Sequence, residues 1–598
     1  MTRCYICGNN TADTIGVKTC ELVRQQKRAR PWRQASASPS VITLPSWRKG
    51  TLLRKFVLGA HPIIEHYLQK LRIGELIGTY IPQDQRLRLP TERTLSVLIH
   101  NILTTPMPMY AIADWLAPLD EQSLGLEPAQ VGCIHDDRVG QALDRFYQGR
   151  HKDLFFHLAL RAIKTFGLDC AQIHQDTTTV TFSGQYTAWQ LPEELTCGHN
   201  KDHRPDLKQL VLGLSVTADG SVPLVHKVYP GNQTDDRLHL ENHQRLRRLL
   251  QRADFIYVAD CKLATEENLR RLAACGGRFV SVMSRTRKED GQFRQLVRQN
   301  QVQWEHLLSR KNNRRPESKT DRYDLAQGNY QASGYRLLWI RSTQKAQQDA
   351  QSRARRITQT LDALRELQTK LNTYHLKCRP AIEQALHRLL DEHDTQDWIG
   401  YQIQVHRQYE KHFPRRGRPA ASQAGQWCWK PYFSVSFNVD RHALEQEALT
   451  DGVFPLITNL ETDPYTAKRV LEIYKFQPFL EKRHSQLKTW QEVTPVLLKK
   501  DERVVAYLHM HVMALMVATL IERQLRRAMH QRSIPALPLY PEDRPCRYPT
   551  LFDIVRVFRQ VERYEVLEAE RVTLFPAQLN RLQRQLLEFL EVPASLYQ

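Results

Sequence analysis

A chain of 598 residues, 41% hydrophobic and 25% charged, is too long for a single core, and its composition is that of a folded globular protein. Lys and Arg outnumber Asp and Glu by 85 to 64, and this net charge of +21 points to a polyanionic partner, since each neutralised phosphate releases counterions. The 11 cysteines lack the spacing of a disulfide framework, MTRCYICGNN lacks the apolar core of a signal peptide, and the best apolar run, Val512 to Ile521, is far short of the roughly 18 residues of a membrane span, so a reducing cytoplasm is expected.

Residues 1–50 show little apolar periodicity and end in the Ser/Pro-rich QASASPSVITLPSW, the composition of a flexible tail. Cys4 and Cys7 form a CxxC followed by Cys20; three thiols without a nearby fourth ligand make a poor zinc site. Over 51–165 the apolar spacing is helical, through Ile63, Ile64, Tyr67, Leu68 and Leu71, then Leu95, Leu98, Ile99, Ile102 and Leu103. This predicts a compact helical domain suited to DNA binding. In 166–285, AQIHQDTTTVTF, QLVLGLSV and PLVHKVY read as strands, the last two joined by a TADG hairpin turn. DRLHLENHQRLRRLLQ then reads as a helix, DFIYVAD as a buried strand ending on Asp260, LATEENLRRLAA as a helix and GRFVSVM as a strand. Three strands, helix, strand, helix, strand is the order of an RNase H-like sheet.

Residues 286–450 read as an insertion into that core. A basic stretch, RKNNRRPESK, precedes a strand pair around YRLLWIR and a helical run from Gln344 to His393. Ile357, Leu361, Leu364, Leu367 and Leu371 line its apolar face, and Pro380 divides it into two helices. The strands IGYQIQVHRQY and YFSVSFNV follow. The core resumes over 451–530 with the strand FPLITN and a helix bearing Glu481, and 531–598 is expected to be helical apart from the linker SIPALPLYPEDRPCRYP. The fold class is therefore α/β in a multidomain α+β chain. An RNase H-like catalytic core is interrupted by a large β-rich and helical insertion and flanked by helical N- and C-terminal domains.

Phosphoryl transfer on DNA needs both the entering and the leaving oxygen stabilised, a task for two Mg²⁺ ions held by hard oxygen ligands. Asp176 and Asp260 belong to strands that neighbour each other in an RNase H-like sheet, which brings two carboxylates to one edge although they are 84 positions apart in sequence. Asp254, Asp235 and Asp236 are weaker candidates, at a strand start and a helix cap. A helix starting with Asp463 as cap and Pro464 as first residue places Tyr474, Gln477, Glu481 and Lys488 within an arc of about 60°. Pro478 should kink it just before Glu481.

This segment resembles the Tyr-x2-Arg-x3-Glu-x6-Lys signature of bacterial DDE transposases of the insertion-sequence-4 superfamily, with Tyr474, Glu481 and Lys488 at three of its four positions. HQDTTTVTFSGQY, GHNKDHRPDLKQLVLGL, VYPGN and VADCKLATEENL are similar to the insertion-sequence-1634 family in particular. The resemblance runs from about residue 57 to 545. It implies a nucleoid-associated enzyme that uses Mg²⁺, with Mn²⁺ as a substitute, to cleave the ends of its own element and join their 3′-OH groups to target DNA. Asp176, Asp260 and Glu481 would be catalytic metal ligands, and Tyr474 and Lys488 would grip phosphates. Gln477 stands where the signature has Arg, and a neutral amide makes no charged bidentate clamp; either Lys482 or Arg483 supplies that charge, or this subgroup does without it.

Three further features bear on DNA. Arg416-Gly417-Arg418-Pro419 has the thin Arg-Gly-Arg core that fits a narrow minor groove, so Arg416 and Arg418 are candidate contacts. The GHNKDHRPD loop is a candidate DNA contact near the site rather than a metal site, and Arg245, Arg247, Arg248 and Arg252 form a solvated helix face or a DNA track. The partners expected are terminal inverted repeats, target DNA and a second copy of the chain, because two ends must be brought together. The Leu-bearing helices at about 344–393 and the C-terminal helices are the candidate dimer interfaces. A transposase-derived binding protein without catalysis and an RNase H-like nuclease without strand transfer remain the alternative readings.

Overall fold

The computed structural model describes residues 52–598 except 183–190, 192–194, 199–205, 234–237, 312–319, 374, 413–424, 492–497, 499 and 569–570. The fold is mixed α/β and divides into two compact units. One runs to Ala259 and adds Ala274–Gly277 and Lys475–Gln598; the other is Asp260–Ala273 with Arg278–Tyr474.

The core of the first unit is the helix Asp501–Gln531, whose residues from Val504 to Met529 are nearly all buried. By length and composition this helix could cross a membrane, yet 94% of its most apolar stretch is buried inside the protein. Unbroken apolar runs understate it, because His509, His511 and Thr519 interrupt a window whose mean hydropathy is 2.0. The helices His61–Lys70, Thr91–Thr104 and Asp136–Gln148 pack on it. Their predicted apolar positions, Ile63, Tyr67, Leu95, Ile99 and Ile102 among them, are fully buried. The N- and C-terminal regions share one sheet: Leu52–Val57 pairs antiparallel with Glu562–Glu568, which pairs with Arg571–Phe575. Residues 531–598 are thus less helical than expected. The alternating EVLE and RVTLF segments are strands, and their partner lies about 500 residues upstream in sequence.

The same unit carries β1 (Gln172–Phe182), β2 (Lys208–Thr217), β3 (Pro223–Pro230) and β4 (Ile256–Val258). Strands β1, β2 and β3 form an antiparallel meander, and β4 pairs parallel with β1. The neighbouring strands expected for the two Asp residues are therefore present. The β2–β3 hairpin turns through Gly220 at φ +85°, a conformation that favours glycine. Gly231, in the VYPGN segment, meets β2 so closely that a Cβ would lie 2.0 Å from the Gln209 carbonyl oxygen.

In the second unit, Arg278–Val282, Val453–Thr458, Tyr335–Ser342, Asp321–Ala326 and Trp304–Arg310 form an antiparallel series in that order. The helical run is two helices, as expected, Thr343–Lys370 and Arg379–His393. The break falls at Leu371–Cys378, and Pro380 opens the second helix, where its missing N–H costs nothing. The stripe of Leu364, Leu367, Leu371, Leu386 and Leu390 is buried against Ile399, Phe433 and Val435. That apolar face, a candidate dimer interface, is therefore core of its own unit. Ile399–His412 and Gln426–Val439 form a two-stranded ribbon, and the pairs Tyr409–Trp429 and Lys411–Trp427 lie beyond the part that packs on the helices.

Candidate active site

Asp176 lies within β1 rather than at its end, a stretch favoured by β-branched Thr177, Thr178, Thr179 and Val180. Its Oδ1 accepts from the Thr177 N–H at 2.8 Å, and its Oδ2 is 3.5 Å from Nδ1 of the buried His484. Buried His239 also feels the Asp176 charge; burial lowers its pKa to about 4 and the carboxylate partly opposes that. Register relates the two Asp positions. His174 on β1 pairs with Val258 on β4, and Asp176 and Asp260 each follow that pair by two residues. Asp260, in the second unit, also shapes its turn: Oδ1 accepts from the Lys262 N–H at 3.1 Å, and its carbonyl accepts from Ser281 Oγ at 2.6 Å.

The expected continuous helix around Glu481 is two helices, Ala467–Tyr474 and Gln477–Ser485 (α1). The first begins after Thr466, whose hydroxyl accepts from the Arg469 N–H at 3.3 Å, and not at Asp463. The break falls at Lys475 and Phe476, with Pro478 in the opening turn of α1, as the missing proline N–H favours. Lys488 lies in a following π-helical turn, Gln486–Trp490. Tyr474, Glu481 and Lys488 therefore do not share one α-helical arc. Within α1, however, Gln477, Glu481 and His484 fall within about 60° of one another at about 100° per residue. Gln477 bonds β1: its Oε1 is 2.9 Å from His174 Nδ1, and its Nε2 donates to the Gln175 carbonyl at 3.1 Å. With His484 beside Asp176, the helix face bearing Glu481 is turned toward the strand bearing Asp176. Glu481 itself is exposed at the edge of that face.

Comparisons with known proteins add little to this geometry. Residues 57–160 match a family described as a domain of unknown function, DUF4277. No curated protein matches the chain. A cryo-EM structure of a piggyBac transposase synaptic complex with hairpin DNA is similar at a TM-score of 0.38 and 8% identity, over 82% of this chain and 79% of that one.

Arg483 is not placed to touch DNA. It is buried, with Nη1 2.6 Å from Glu522 Oε2 and Nη2 donating to the Gly220 carbonyl at 2.9 Å, which corrects the expectation of a phosphate contact. Lys482 is exposed, its ammonium 4.5 Å from the Phe479 ring centre. Arg416, Arg418, Asp235, Asp236 and most of the GHNKDHRPD loop lie outside the described residues. Arg245 pairs with Glu241 at 2.8 Å and Arg252 with Asp254 at 2.6 Å, so part of that basic face is neutralised. Among the described residues, the one trio of ligand-type side chains within 4.8 Å is His135, Asp136 and Asp137, which are exposed at the start of the Asp136–Gln148 helix, where acidic groups complement the helix dipole.

Two polar residues of the site were not singled out from sequence. His174 and His484 look like ordinary core histidines there. Their only signals are the positions two before Asp176 and three after Glu481.

Proposed function

We propose that this chain is the DNA transposase of an insertion sequence, a DDE-type enzyme that binds terminal inverted repeats, cleaves the element ends and joins their 3′-OH groups to target DNA. The observation that carries this reading is the seating of α1 on β1, which turns the face bearing Glu481 toward Asp176, while β1 and β4 run in the register that leads to Asp176 and Asp260.

A donor set of carboxylate oxygens alone suits Mg²⁺, or Mn²⁺ in its place, rather than a softer metal. Asp176, Asp260 and Glu481 would hold the ions, which when bound stabilise the entering and leaving oxygens of phosphoryl transfer. The partial exposure of Asp176 and the exposure of Glu481 leave room for a DNA strand. Tyr474, Lys482 and Lys488 are assigned to phosphates near the transferred end. The ribbon of the second unit supports a further DNA contact. It exposes Tyr409, Trp427 and Trp429, sets Arg407 over Trp429, and the sequence joining its strands contains Arg416 and Arg418. Joining two ends calls for a homodimer in the DNA complex.

The decisive assay offers DNA carrying the element ends to the intact chain with Mg²⁺, beside Asp176→Asn and Glu481→Ala. Cleaved and joined products that vanish in both variants while DNA binding persists are expected. Binding without cleavage by the intact chain, in Mg²⁺ or Mn²⁺, would leave a DNA-binding protein without catalysis, and cleavage without joining would indicate a nuclease.

A further inference from the structure

Gln477 departs from the signature that the rest of its helix resembles, and the structure shows what it bonds. The side chain is buried, and both ends of its amide are engaged on β1. Because Nε2 donates to the Gln175 carbonyl, Oε1 is the atom that meets His174 and can only accept there. His174 Nδ1 must then carry the proton. The other ring nitrogen, Nε2, is left as an acceptor and lies 2.6 Å from Gln172 Nε2, a donor. The chain from Gln172 through His174 and Gln477 to Gln175 is thus satisfied in one tautomer and one amide orientation. His174 is fully buried, its ring also packed on Phe476 at 4.8 Å between centres.

We propose that Gln477 is a positioning residue, which uses the Nδ1–H tautomer of His174 to fix the separation of the Glu481 helix from the Asp176 strand. This rests on the reading of those two carboxylates as metal ligands. It also accounts for the missing Arg. A guanidinium at 477 has only donors to offer, so it would face the His174 N–H donor to donor and bury its charge beside it. An amide alone among the polar side chains of this length both accepts from His174 and donates to the Gln175 carbonyl. A Glu would accept from His174 but set a second acceptor against that carbonyl.

The test is calorimetric titration of the full chain with Mn²⁺, without DNA, together with hydrogen exchange of the α1 amides. Gln477→Met and Gln477→Arg are expected to weaken Mn²⁺ binding about tenfold or more, the usual effect of losing a group that orients a metal ligand. His174→Asn, which keeps a donor where Nδ1 stands, should retain more affinity than His174→Gln. In combination with Gln477→Met, either His174 variant should add little further loss, since the two residues act through one bond. Wild-type affinity in folded Gln477→Met and Gln477→Arg overturns the proposal. Should Asp176→Asn and Glu481→Ala themselves leave Mn²⁺ binding unchanged, the metal reading fails instead, and exchange decides the clamp. Faster exchange over 477–485 in Gln477→Met upholds it, and unchanged protection refutes it.

Discussion

Arg483 and Glu522 form an ion pair of 2.6 Å with side-chain exposures of 6% and 0%. Burial pushes the Glu522 carboxyl up, but the guanidiniums of Arg483 and Arg526 outweigh that and hold it below its ordinary range. Glu522 also accepts from the Leu551 N–H at 3.1 Å, so the pair ties α1 to the long core helix and to the start of the Leu551–Phe558 helix.

Removing one partner of such a pair strands the other charge. Arg483→Ala should cost about 3 kcal/mol, and Arg483→Met no less, because both leave the buried Glu522 with Arg526, at 3.1 Å, as its remaining guanidinium partner. Denaturant unfolding of the full chain, followed by tryptophan fluorescence, checks this. A variant of wild-type stability that binds DNA poorly would instead return Arg483 to the DNA surface.

Lys488, on the turn after α1, is assigned to a phosphate. Lys488→Ala should then weaken DNA binding by a similar factor on every sequence tested. It should lower the slope of log K against log salt by about 1 and leave the unfolding midpoint unchanged. Binding titrations at four salt concentrations give both numbers. An unchanged slope would remove Lys488 from the contact set.

How far the site could be read in advance follows from the kind of signal each residue emits. The strand that carries Asp176 and the one that leads to Asp260 are legible as neighbours because strand order alone pairs them, and β1 and β4 do pair in parallel. Helical periodicity likewise marks Ile63, Tyr67, Leu95 and Ile99 as core, and they are. The arc through Tyr474 and Glu481 fails because one angular period was carried across Lys475 and Phe476, where the chain changes helix. Arg483 misleads for a different reason. A cation beside Glu481 reads as surface unless its partner is known, and Glu522 is 39 residues away within an apolar helix. The pairing of Leu52–Val57 with Glu562–Glu568 is invisible for the same reason: its information lies in a contact about 500 residues long, not in either segment.

The first unit holds several histidines whose pKa is lowered by burial: His226 and His511 to about 3, and His174 and His239 to about 4. In the unfolded chain each titrates near 6.5. Above that pH they are neutral in both states and cost nothing. As pH falls below it, the unfolded state takes up protons that the folded state refuses, and stability is lost at about 1.4 kcal/mol per pH unit for each such residue. The unfolding midpoint should therefore drop steeply between about pH 6.5 and 5. Neither ring nitrogen of His511 has a hydrogen-bond partner among the described residues, so His511→Leu should reduce that slope without lowering stability at pH 7.5. Midpoints measured at half-unit intervals test both statements, and a variant with the wild-type slope would exclude His511 as a contributor.

Gly231 gives the sharpest steric prediction. A Cβ at this position would lie 2.0 Å from the Gln209 carbonyl oxygen and 2.6 Å from that of Thr196, and neither is the end of a flexible side chain that could swing away. Gln209 Nε2 also donates to the Gly231 carbonyl at 2.7 Å, so the turn cannot retreat without breaking a buried bond. Gly231→Ala must displace backbone at the edge of β2, next to the strand that carries Asp176. The expected cost is about 3 kcal/mol or more, at the upper end for overpacking. Gly167→Ala is the control. Gly167, unlike Gly231, has a positive φ, at +57°, but none of the described residues lies within 4 Å of its Cβ position, so only backbone strain of about 1 kcal/mol is expected there. Comparable midpoints for the two variants would show that the close approach of Gly231 to β2 carries no cost beyond ordinary backbone strain.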